Sequence, residues 1–506
     1  MEVITYAIYG PALAAVYGIG WIIYTRTIHP LAAIPGPFWA SVTRLWYVYH
    51  VAKGDMEHVQ RALHARFGPI VRIAPQEVAC ADPTAYRTIY AIASPWTKSF
   101  FYPIWGNKTF SKYPDNFSNT DEAIHAKRRR IVNNVYSMST VLTLETYIDR
   151  CSSLFINAME TFASSDESFD LGEWLQFYTF DVIGELFFGK TFGFMEKAED
   201  HEGYIRSLDR LLPVMAAAAV ATPVTRFCIL GSSMFSSDVR KALKALDHIA
   251  EAARACVQTR LDAGGKQDTA DGPRRDLMAH HLSIVHDKGE AVDFGICEVQ
   301  YEAYVAIFAG SDTTAIALRS IFYHLMKYPA ACEKLQMEID TAFASGTLSN
   351  PPKYSEAVNL PYLSATIKEA MRLHPSVGLT MPRLVPKGGV ELAGKFIPQG
   401  YIVGMNAAVV GHNHGVYGER PDEFDPGRWL RGDTAPMERY NLVFGAGTRT
   451  CIGKNISLSE IYKLVPLVMR FFTFTLSEPE KQWSTHNAWF NKQTGVNVRV
   501  EKRKID

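Results

Sequence analysis

The sequence predicts a mainly α-helical protein with small β-sheets and an apolar helix at its N-terminus. Helical periodicity dominates from about Met56 to Lys334, and short strand patterns occur near Ile70–Ile73 and in VELAGKFIPQGYIV, residues 390–403. Residues 3–25 carry no charged side chain. The chain has 506 residues, of which 47% are hydrophobic, so it can form a substantial core and is not a disordered protein.

The uncharged segment of residues 3–25 is long enough to cross roughly 30 Å of hydrocarbon as a helix. Its length and the absence of a basic start argue against a cleaved signal peptide, and a buried core helix is the alternative. Arg26 follows directly, which places the rest of the chain in the cytoplasm by the positive-inside rule. The prolines of Ile34–Pro37 then break the helix. The predicted units are a membrane anchor (1–25), a basic, proline-rich hinge (26–37) and one large domain (38–506).

The longest predicted helix runs from about Cys297 to Tyr328 and would be about 48 Å long, enough to cross the globule. Its centre, AGSDTT at 309–314, contains glycine and polar residues that are poor choices inside a buried helix. Glycine lets another group approach the backbone, and a threonine hydroxyl can bond a carbonyl or a ligand. The alternative is that Ser311 or Asp312 caps a new helix. In the strand region, Gly394 marks a hairpin turn, and DAGGKQDTADGPRRD at 262–276 predicts a surface loop.

Charge and cysteine content exclude several classes of function. Lys plus Arg and Asp plus Glu both number 52, so the net charge gives no argument for nucleic-acid binding. The seven cysteines are scattered without a C-x-x-C pair, which argues against a disulfide framework or a zinc site. Cys451 alone lies in a glycine-rich turn, FGAGTRTCIG at 444–453. From the residues alone this turn is a phosphate cradle, a redox thiol or a metal site, although a dinucleotide fingerprint would need glycine or alanine where Thr450 stands.

Two further patterns are weak when they are taken alone. Glu369 and Arg372 lie three residues apart on one helical face, an arrangement that is usually a solvated surface pair, and Arg428 is a possible third partner. His125 and Arg129 share another helical face, beside a basic run that would otherwise be a solvated surface or a short nucleic-acid patch.

In this order and over essentially the full chain, these motifs resemble the cytochrome P450 superfamily of haem-thiolate monooxygenases. FGAGTRTCIG matches the cysteine loop of the family at every fixed position, namely Phe444, Gly447, Arg449, Cys451 and Gly453. AGSDTT matches the oxygen-binding helix, EAMR matches the Glu-x-x-Arg helix, and Trp429 closes the segment that carries Arg428. KNIS after the cysteine loop and NAWFNKQ near residue 490 resemble the fungal pisatin demethylase and benzoate hydroxylase group. Gly427 and Ser457 depart from the usual glutamate and alanine.

The resemblance implies a cytochrome P450 fold that holds haem b, with Cys451 as the axial ligand of the iron and Phe444 shielding its sulfur. It assigns His125, Arg129, Arg383 and Arg449 to the haem propionates. Asp312 and Thr313 resemble the acid-alcohol pair that delivers protons from solvent, which favours a monooxygenase using O₂. Glu369, Arg372 and Arg428 would form a structural network behind the cysteine loop.

The chain shows no convincing flavin or nicotinamide fingerprint, so the expected electron source is a separate NADPH-cytochrome P450 reductase in the same membrane, with cytochrome b5 as a further donor. An anchor followed by a proline-rich hinge is typical of the microsomal form, which implies a single-pass endoplasmic reticulum protein with a cytosolic catalytic domain. A haem-thiolate isomerase or dehydratase and a non-enzymatic haem-binding membrane protein are the alternatives.

The expected substrate is a hydrophobic, medium-sized molecule, and the fungal resemblance favours a secondary metabolite. The candidate walls of its pocket are the apolar run at 211–224, which could equally be a core helix, the aromatic residues of 96–102, and 377–381.

Overall fold

The computed structural model describes residues 2–92, 95–201, 203–264, 268–269 and 272–504, with the backbone alone for residues 2–10, 233, 268–269 and 272–273. Within these ranges the chain is mainly helical with small sheets, as predicted. The helices are α1 (Glu2–Ile23), α2 (Phe38–Val42), α3 (Leu45–Lys53), α4 (Met56–Phe67), α5 (Tyr86–Tyr90), α6 (Glu122–Val132), α7 (Met138–Leu142), α8 (Glu145–Ser165), α9 (Leu171–Ile183), α10 (Phe194–Lys197), α11 (Tyr204–Val220), α12 (Pro223–Gly231), α13 (Ser237–Asp262), α14 (Leu277–Val292), α15 (Ile296–Lys327), α16 (Pro329–Ala344), α17 (Tyr354–Ala357), α18 (Pro361–Leu373), α19 (Ala407–Val410), α20 (His414–Tyr417), α21 (Ala435–Tyr440) and α22 (Lys454–Phe471).

The strands are short and form small sheets. They are β1 (Ile70–Ala74), β2 (Glu77–Cys80), β3 (Thr97–Lys98), β4 (Phe169–Asp170), β5 (Asp268–Thr269), β6 (Gly272–Pro273), β7 (Arg383–Leu384), β8 (Val390–Leu392), β9 (Lys395–Ile397), β10 (Ile402–Gly404), β11 (Phe472–Leu476), β12 (Ser484–Ala488), β13 (Phe490–Thr494) and β14 (Asn497–Lys502).

The central helix α15 runs through the core without a break, so the alternative of a new helix capped at Ser311 or Asp312 is wrong. It begins at Gly295, whose backbone N–H donates to the Glu298 carboxylate at 2.8 Å, and it ends two residues before Pro329. Gly310 is where α9 packs against it, because a Cβ there would lie 2.7 Å from a methyl carbon of Ile183. Glycine in the middle of this helix therefore permits close helix packing.

The largest sheet brings together segments that are far apart in sequence. Its strand order is β1-β2-β10-β7-β3, with β10 parallel to β2 and the other neighbours antiparallel. In its last pair, Lys98 lies opposite Arg383. A separate hairpin, β8–β9, turns at Gly394 with φ of +69°, as the sequence predicts.

A second hairpin, β12–β13, places Trp489 at its turn with φ of +76°. Its tip is attached to the segment after α18, because the Gly378 N–H donates to the Trp489 carbonyl at 3.2 Å and the Asn491 N–H to the Ser376 carbonyl at 2.9 Å. The Ser376 hydroxyl donates to the carbonyl of Thr313 at 2.7 Å, so the hairpin is connected to the centre of α15.

The N-terminal segment forms α1, followed by a π-helical turn at Tyr24–Ile28. The first part of the predicted anchor lies outside the residues whose side chains are described, whereas Val16 and Tyr17 are 68% and 73% exposed. Among the described residues, only α15 is long and apolar enough to cross a membrane, and it is largely buried inside the protein. The hinge packs on β1, because the Arg72 N–H donates to the Pro35 carbonyl at 2.8 Å.

The apolar run at 211–224 divides at Ala221, between α11 and α12. Its α11 part is largely buried, with Leu211 and Ala216 both inaccessible to solvent. The α12 part is exposed, with Val224 at 75%. The predicted loop at 262–276 lies partly outside the described residues.

Candidate functional site

The loop that carries Cys451 is fixed tightly against the helix-rich core. Gly445 and Gly447 adopt φ of +67° and +60°, and a Cβ on Gly447 would lie 1.9 Å from the carbonyl oxygen of Tyr90. Only glycine fits such a position. The Cys451 N–H donates to the Phe444 carbonyl at 2.8 Å, which closes the loop into a turn.

Cys451 lies at the N-terminus of α22, where unpaired backbone N–H groups favour negative charge. Its thiol accepts hydrogen bonds from the N–H groups of Gly453 and Lys454. Burial raises the pKa of the thiol, while these hydrogen bonds and the nearby Arg129 guanidinium lower it. The side chain is accessible although protein atoms surround it densely, so the thiol faces an interior space.

A stripe of accessible residues on α15 faces an interior space as well. Most of the central part of the helix is buried, but Val305, Ala306, Ala309 and Thr313 remain accessible at helical spacing. The Thr314 hydroxyl donates to that of Ser457 at 3.0 Å, which ties the middle of α15 to the first turn of α22, beside Cys451. The serine that departs from the usual alanine therefore joins the two helices that approach the site.

Thr313 and Asp312 point in different directions. The Thr313 hydroxyl lies on the accessible stripe and donates to the Ala309 carbonyl at 2.9 Å. The Asp312 side chain points toward α9, where the Gln176 amide donates to one of its oxygens, and it is 1% exposed. Arg319 in turn donates to Gln176 at 2.8 Å. In this structure the Asp312 carboxylate therefore has no direct path to solvent, and its role in proton supply stays a prediction.

Burial raises the pKa of Asp312, and the charges of Lys492 and Arg319 and the bond from Gln176 act in the opposite direction. Asp209, which pairs with Lys492, adds a further increase. Asp312 thus holds a proton more readily than an ordinary aspartate does.

Several cationic groups converge between the cysteine loop, α6 and the largest sheet. Arg449 donates to the Glu122 carboxylate through Nε at 2.9 Å, and Arg383 lies 3.9 Å from the same carboxylate. Lys98 is 5% exposed and donates to the Phe117 carbonyl, and burial followed by the charges of Arg383 and Arg449 holds the pKa of Lys98 well below its usual range.

His125 belongs to this cation cluster. It is 2% exposed, and burial followed by the charge of Arg449 lowers its pKa to about 3, so the imidazole is neutral near pH 7. Sequence reasoning identified all of these cationic residues except Lys98. Lys98 belongs to no sequence motif that would mark it as a site residue. Only its position opposite Arg383 in the paired strands shows that it belongs to the site.

These residues fit the haem that the resemblance implies. The buried cluster has more cationic groups than carboxylates to pair with them. In addition, Nε of Arg383 and Nε2 of His125 have no hydrogen-bond partner among the described residues. Buried cations require anionic partners, and the two propionates of haem are such groups. The Cys451 thiol supplies the donor that iron prefers in this setting.

Arg129 connects α6 to the loop, because its Nη1 donates to the Thr450 carbonyl at 3.0 Å. Lys127 and Arg130 on the same helix are exposed. Phe444 is half-buried, with the Lys454 ammonium 5.6 Å from its ring centre.

Glu369 lies at the centre of a buried network behind the loop and is fully buried. It accepts two hydrogen bonds at 2.8 Å from Arg372, one at 3.2 Å from Arg428 and one at 2.8 Å from Trp429. Arg428 also donates to the carbonyls of Tyr417 and Arg420, so it is well held although Gly427 precedes it. The structure thus brings together the three residues that the sequence grouped.

The similarity of this chain to known proteins covers nearly all of the elements described above. The family model described as Cytochrome P450 matches residues 35–498. Cytochrome P450 monooxygenase gsfF of Penicillium aethiopicum is 54% identical over 494 residues, which cover 97% of this chain and 98% of that protein. Cytochrome P450 monooxygenase pkfB of Emericella nidulans is 34% identical, with 95% of this chain and 92% of that protein covered. A pisatin demethylase of Fusarium vanettenii is 32% identical, with 95% and 91% covered.

Proposed function

The chain belongs to the cytochrome P450 family and is a monooxygenase, and on that premise we propose that it binds haem b through Cys451 and oxidises a hydrophobic fungal secondary metabolite with electrons that originate from NADPH. The observation that carries this proposal is the Cys451 thiol at the N-terminus of α22, close to the accessible stripe of α15 that bears Thr313. When bound, haem would supply oxygen activation, which a thiolate ligand would promote by donating electron density.

On the thiolate side, the chain stabilises negative charge on Cys451. The N–H groups of Gly453 and Lys454 donate to the sulfur, and the positive end of α22 adds to their effect. Phe444, which is half-buried, would shield the sulfur from solvent. These contacts oppose, without outweighing, the burial that raises the pKa of the thiol.

At the edge of the site, Lys98, Arg383 and Arg449 would neutralise the two propionates. His125 would donate a hydrogen bond through its free Nε2, since its low pKa leaves the imidazole neutral. Arg129, which the resemblance also assigns to a propionate, would hold the group and the Thr450 carbonyl at once. Binding of the carboxylates would remove the unfavourable excess of buried positive charge.

On the opposite side, Thr313 would hold a proton at its hydroxyl, close to the place where oxygen is activated. Its bond to the Ala309 carbonyl can be exchanged for a bond to a ligand by rotation of the side chain. In this structure one Asp312 oxygen accepts from Gln176 and the other has no hydrogen-bond partner among the described residues. Because the side chain is 1% exposed, Asp312 would supply protons only after neighbouring side chains move to admit water.

The hydrophobic substrate would lie against aromatic side chains next to the accessible stripe of α15. Phe117 and Phe308 are partly accessible, and the Trp105 ring lies 6.4 and 6.2 Å from them. Trp489 packs 5.6 Å from Phe117 at the hairpin turn. Such a pocket favours an apolar, medium-sized molecule. The similarity to a pisatin demethylase supports a secondary metabolite rather than a fatty acid or sterol.

The protein would be anchored in the endoplasmic reticulum membrane by α1, with its catalytic domain in the cytosol. Large apolar side chains that are exposed on α2, on α12 and just after α12 support this position: Phe38, Trp39, Val224, Phe227, Met234 and Phe235. The α2 region and the α12 region lie on the same side of the protein. Arg44, just before α3, and Arg226 on α12 both pack on the Phe100 ring, at 5.0 and 5.7 Å. Exposed apolar patches of this kind mark membrane contacts.

Electrons would come from a separate NADPH-cytochrome P450 reductase, with cytochrome b5 as a further donor. The exposed cations Lys127 and Arg130 lie on α6, the helix that Arg129 attaches to the cysteine loop. They offer a basic surface on the Cys451 side to an acidic flavoprotein.

The test is the spectrum of the reduced protein with carbon monoxide. Wild-type protein should show the Soret band of thiolate ligation, and Cys451→Ser and Cys451→His should lose it. A histidine-type spectrum in folded, haem-loaded wild type would refute the assignment. Turnover that depends on O₂ and NADPH separates a monooxygenase from an isomerase or dehydratase, which needs neither, and from a haem carrier, which makes no product.

A further inference from the structure

A small polar cleft opens at the surface between α6, the start of α15 and the segment at 111–116, and its cavity volume of about 20 Å³ has room for about one water molecule. The polar groups that line it include Tyr113, Asp115, Arg128, Glu298, Tyr301 and Glu302. Tyr301 donates to Asp115 at 2.9 Å, and Glu298 is held by Ser111 and by the backbone of Gly295. The cleft can therefore hold water in contact with several carboxylates.

Glu302 lies at the boundary between this cleft and the interior. Its carboxylate accepts a hydrogen bond from the Tyr136 hydroxyl at 2.6 Å, and its side chain is partly accessible. It also begins the accessible stripe of α15, since Ala306, Ala309 and Thr313 follow at four, seven and eleven residues along the same helical face. Glu302 thus lines the solvent-open cleft and lies on the same face of α15 as Thr313.

The distance between Glu302 and Thr313 along α15 determines whether a proton can pass between them in one step. From Glu302 to Thr313, eleven residues along α15, the helix rises by about 17 Å, which is too far for one direct transfer. The two intervening side chains on the face belong to alanines, so they leave space for water molecules beside the helix. A short water chain along Ala306 and Ala309 would span the gap.

The charges around Glu302 favour proton exchange near neutral pH. Burial raises the pKa of Glu302 to about 7; the Tyr136 bond and the charges of Arg128 and Arg129 oppose this shift, and Asp115 adds to it. Glu298, one turn before Glu302, is occupied by its own donors. Burial and the nearby Glu302 hold the pKa of Tyr136 well above its usual range, so this hydroxyl remains a donor.

We propose that Glu302 is a proton-relay residue that takes up protons from the polar cleft and passes them along the α15 stripe toward Thr313, by a route separate from Asp312. Monooxygenation consumes two protons and two electrons for each O₂, and it yields one oxidised product and one water. In each cycle the Glu302 carboxyl gives its proton to a water on the interior side and regains one from the cleft, so it is unchanged overall. The electrons come from the reductase. The inference rests on the proposed function.

The kinetic test compares Glu302→Gln, Asp312→Asn and the double variant, with Glu333→Gln on the exposed face of α16 as the control. If the routes are parallel, each single variant slows product formation moderately, and the double variant loses more than the product of the two single losses, about 100-fold or more in total. Glu302→Asp should restore part of the rate. The loss of rate above about pH 7 should vanish in Glu302→Gln. A double variant no slower than Asp312→Asn would overturn the proposal.

A second readout does not depend on turnover. In the haem-loaded protein with carbon monoxide, infrared difference spectra between pH values should show a carboxylic acid that titrates near pH 7, present in Asp312→Asn and absent in Glu302→Gln. Titration at the ordinary glutamate value of about 4.3 would contradict the relay. The thiolate Soret band is measured on the same samples. Its absence from wild type would refute the proposed function, whereas an intact band without the infrared signal would refute only the role of Glu302.

Discussion

Replacing Glu369 with alanine should release the network that supports the cysteine loop. The substitution removes the acceptor of five hydrogen bonds, two from Arg372 and one each from Arg428, Trp429 and the backbone N–H of Asp425. The side chains of Arg372 and Arg428 are 1% and 10% exposed, so two guanidinium groups are left buried without their carboxylate.

The expected magnitude follows from these contacts. Removing one partner of a buried ion pair costs about 3–5 kcal/mol, and the stranded indole N–H of Trp429 adds about 1–3 kcal/mol. For a chain of 506 residues, an unfolding entropy of about 2.1 cal/mol/K per residue gives about 1 kcal/mol/K. The melting temperature should therefore fall by about 4–8 °C, and the yield of haem-loaded protein should fall with it.

The assay is thermal unfolding followed by near-ultraviolet circular dichroism, together with haem content. The matched control is Glu478→Ala, because Glu478 and Lys481 have the same spacing and a 2.9 Å contact but are 57% and 63% exposed. Such exposed pairs contribute about 0–1 kcal/mol, so this variant should melt within about 1 °C of wild type. Equal melting temperatures for the two variants would show that the Glu369 network does not support the fold.

Thr313→Ala should still bind haem and accept electrons, but its product per NADPH should fall about tenfold or more, with peroxide released instead, whereas Asp312→Asn should slow the whole cycle. An unchanged ratio of product to NADPH in Thr313→Ala would show that the hydroxyl only packs the helix. The third prediction concerns His324. Burial lowers the pKa of its imidazole to about 4. Because the unfolded chain binds a proton there below about pH 6.5 and the folded chain does not, stability should be complete above pH 6.5 and decline toward pH 4, by about 3 kcal/mol at most. Urea unfolding of His324→Gln at pH 5 and 7 should show a smaller acid loss than wild type, and an equal loss would contradict this.

Much of the fold could be predicted from the sequence because it depends on local patterns. The predicted bounds of the long helix, about Cys297 to Tyr328, agree with the observed Ile296–Lys327 within one residue at each end, and the proline at 329 explains its end. The family, including the similarity to pisatin demethylase, is confirmed by the comparisons. Membrane anchoring and the roles of the site residues remain predictions.

The sequence could not predict the direction of side chains on a buried helix. Asp312 and Thr313 are adjacent and were expected to act together in contact with solvent, but packing against α9 turns Asp312 toward Gln176. The role of Ser457 was equally hidden, because its partner Thr314 lies 143 residues away.

The sequence by itself determined the family and predicted which residues carry the chemistry, because the cysteine loop and its glycines lie within one short stretch, where chain geometry decides their arrangement. Only the tertiary structure decided which charges meet. Lys98 joins Arg383 through strand pairing, and Glu302 on α15 meets Tyr136 in the turn between α6 and α7, 166 residues away in the sequence. Electrostatic interactions between buried groups depend on their distance in space and on the exclusion of water. Both are set by tertiary packing and cannot be derived from the order of residues along the chain.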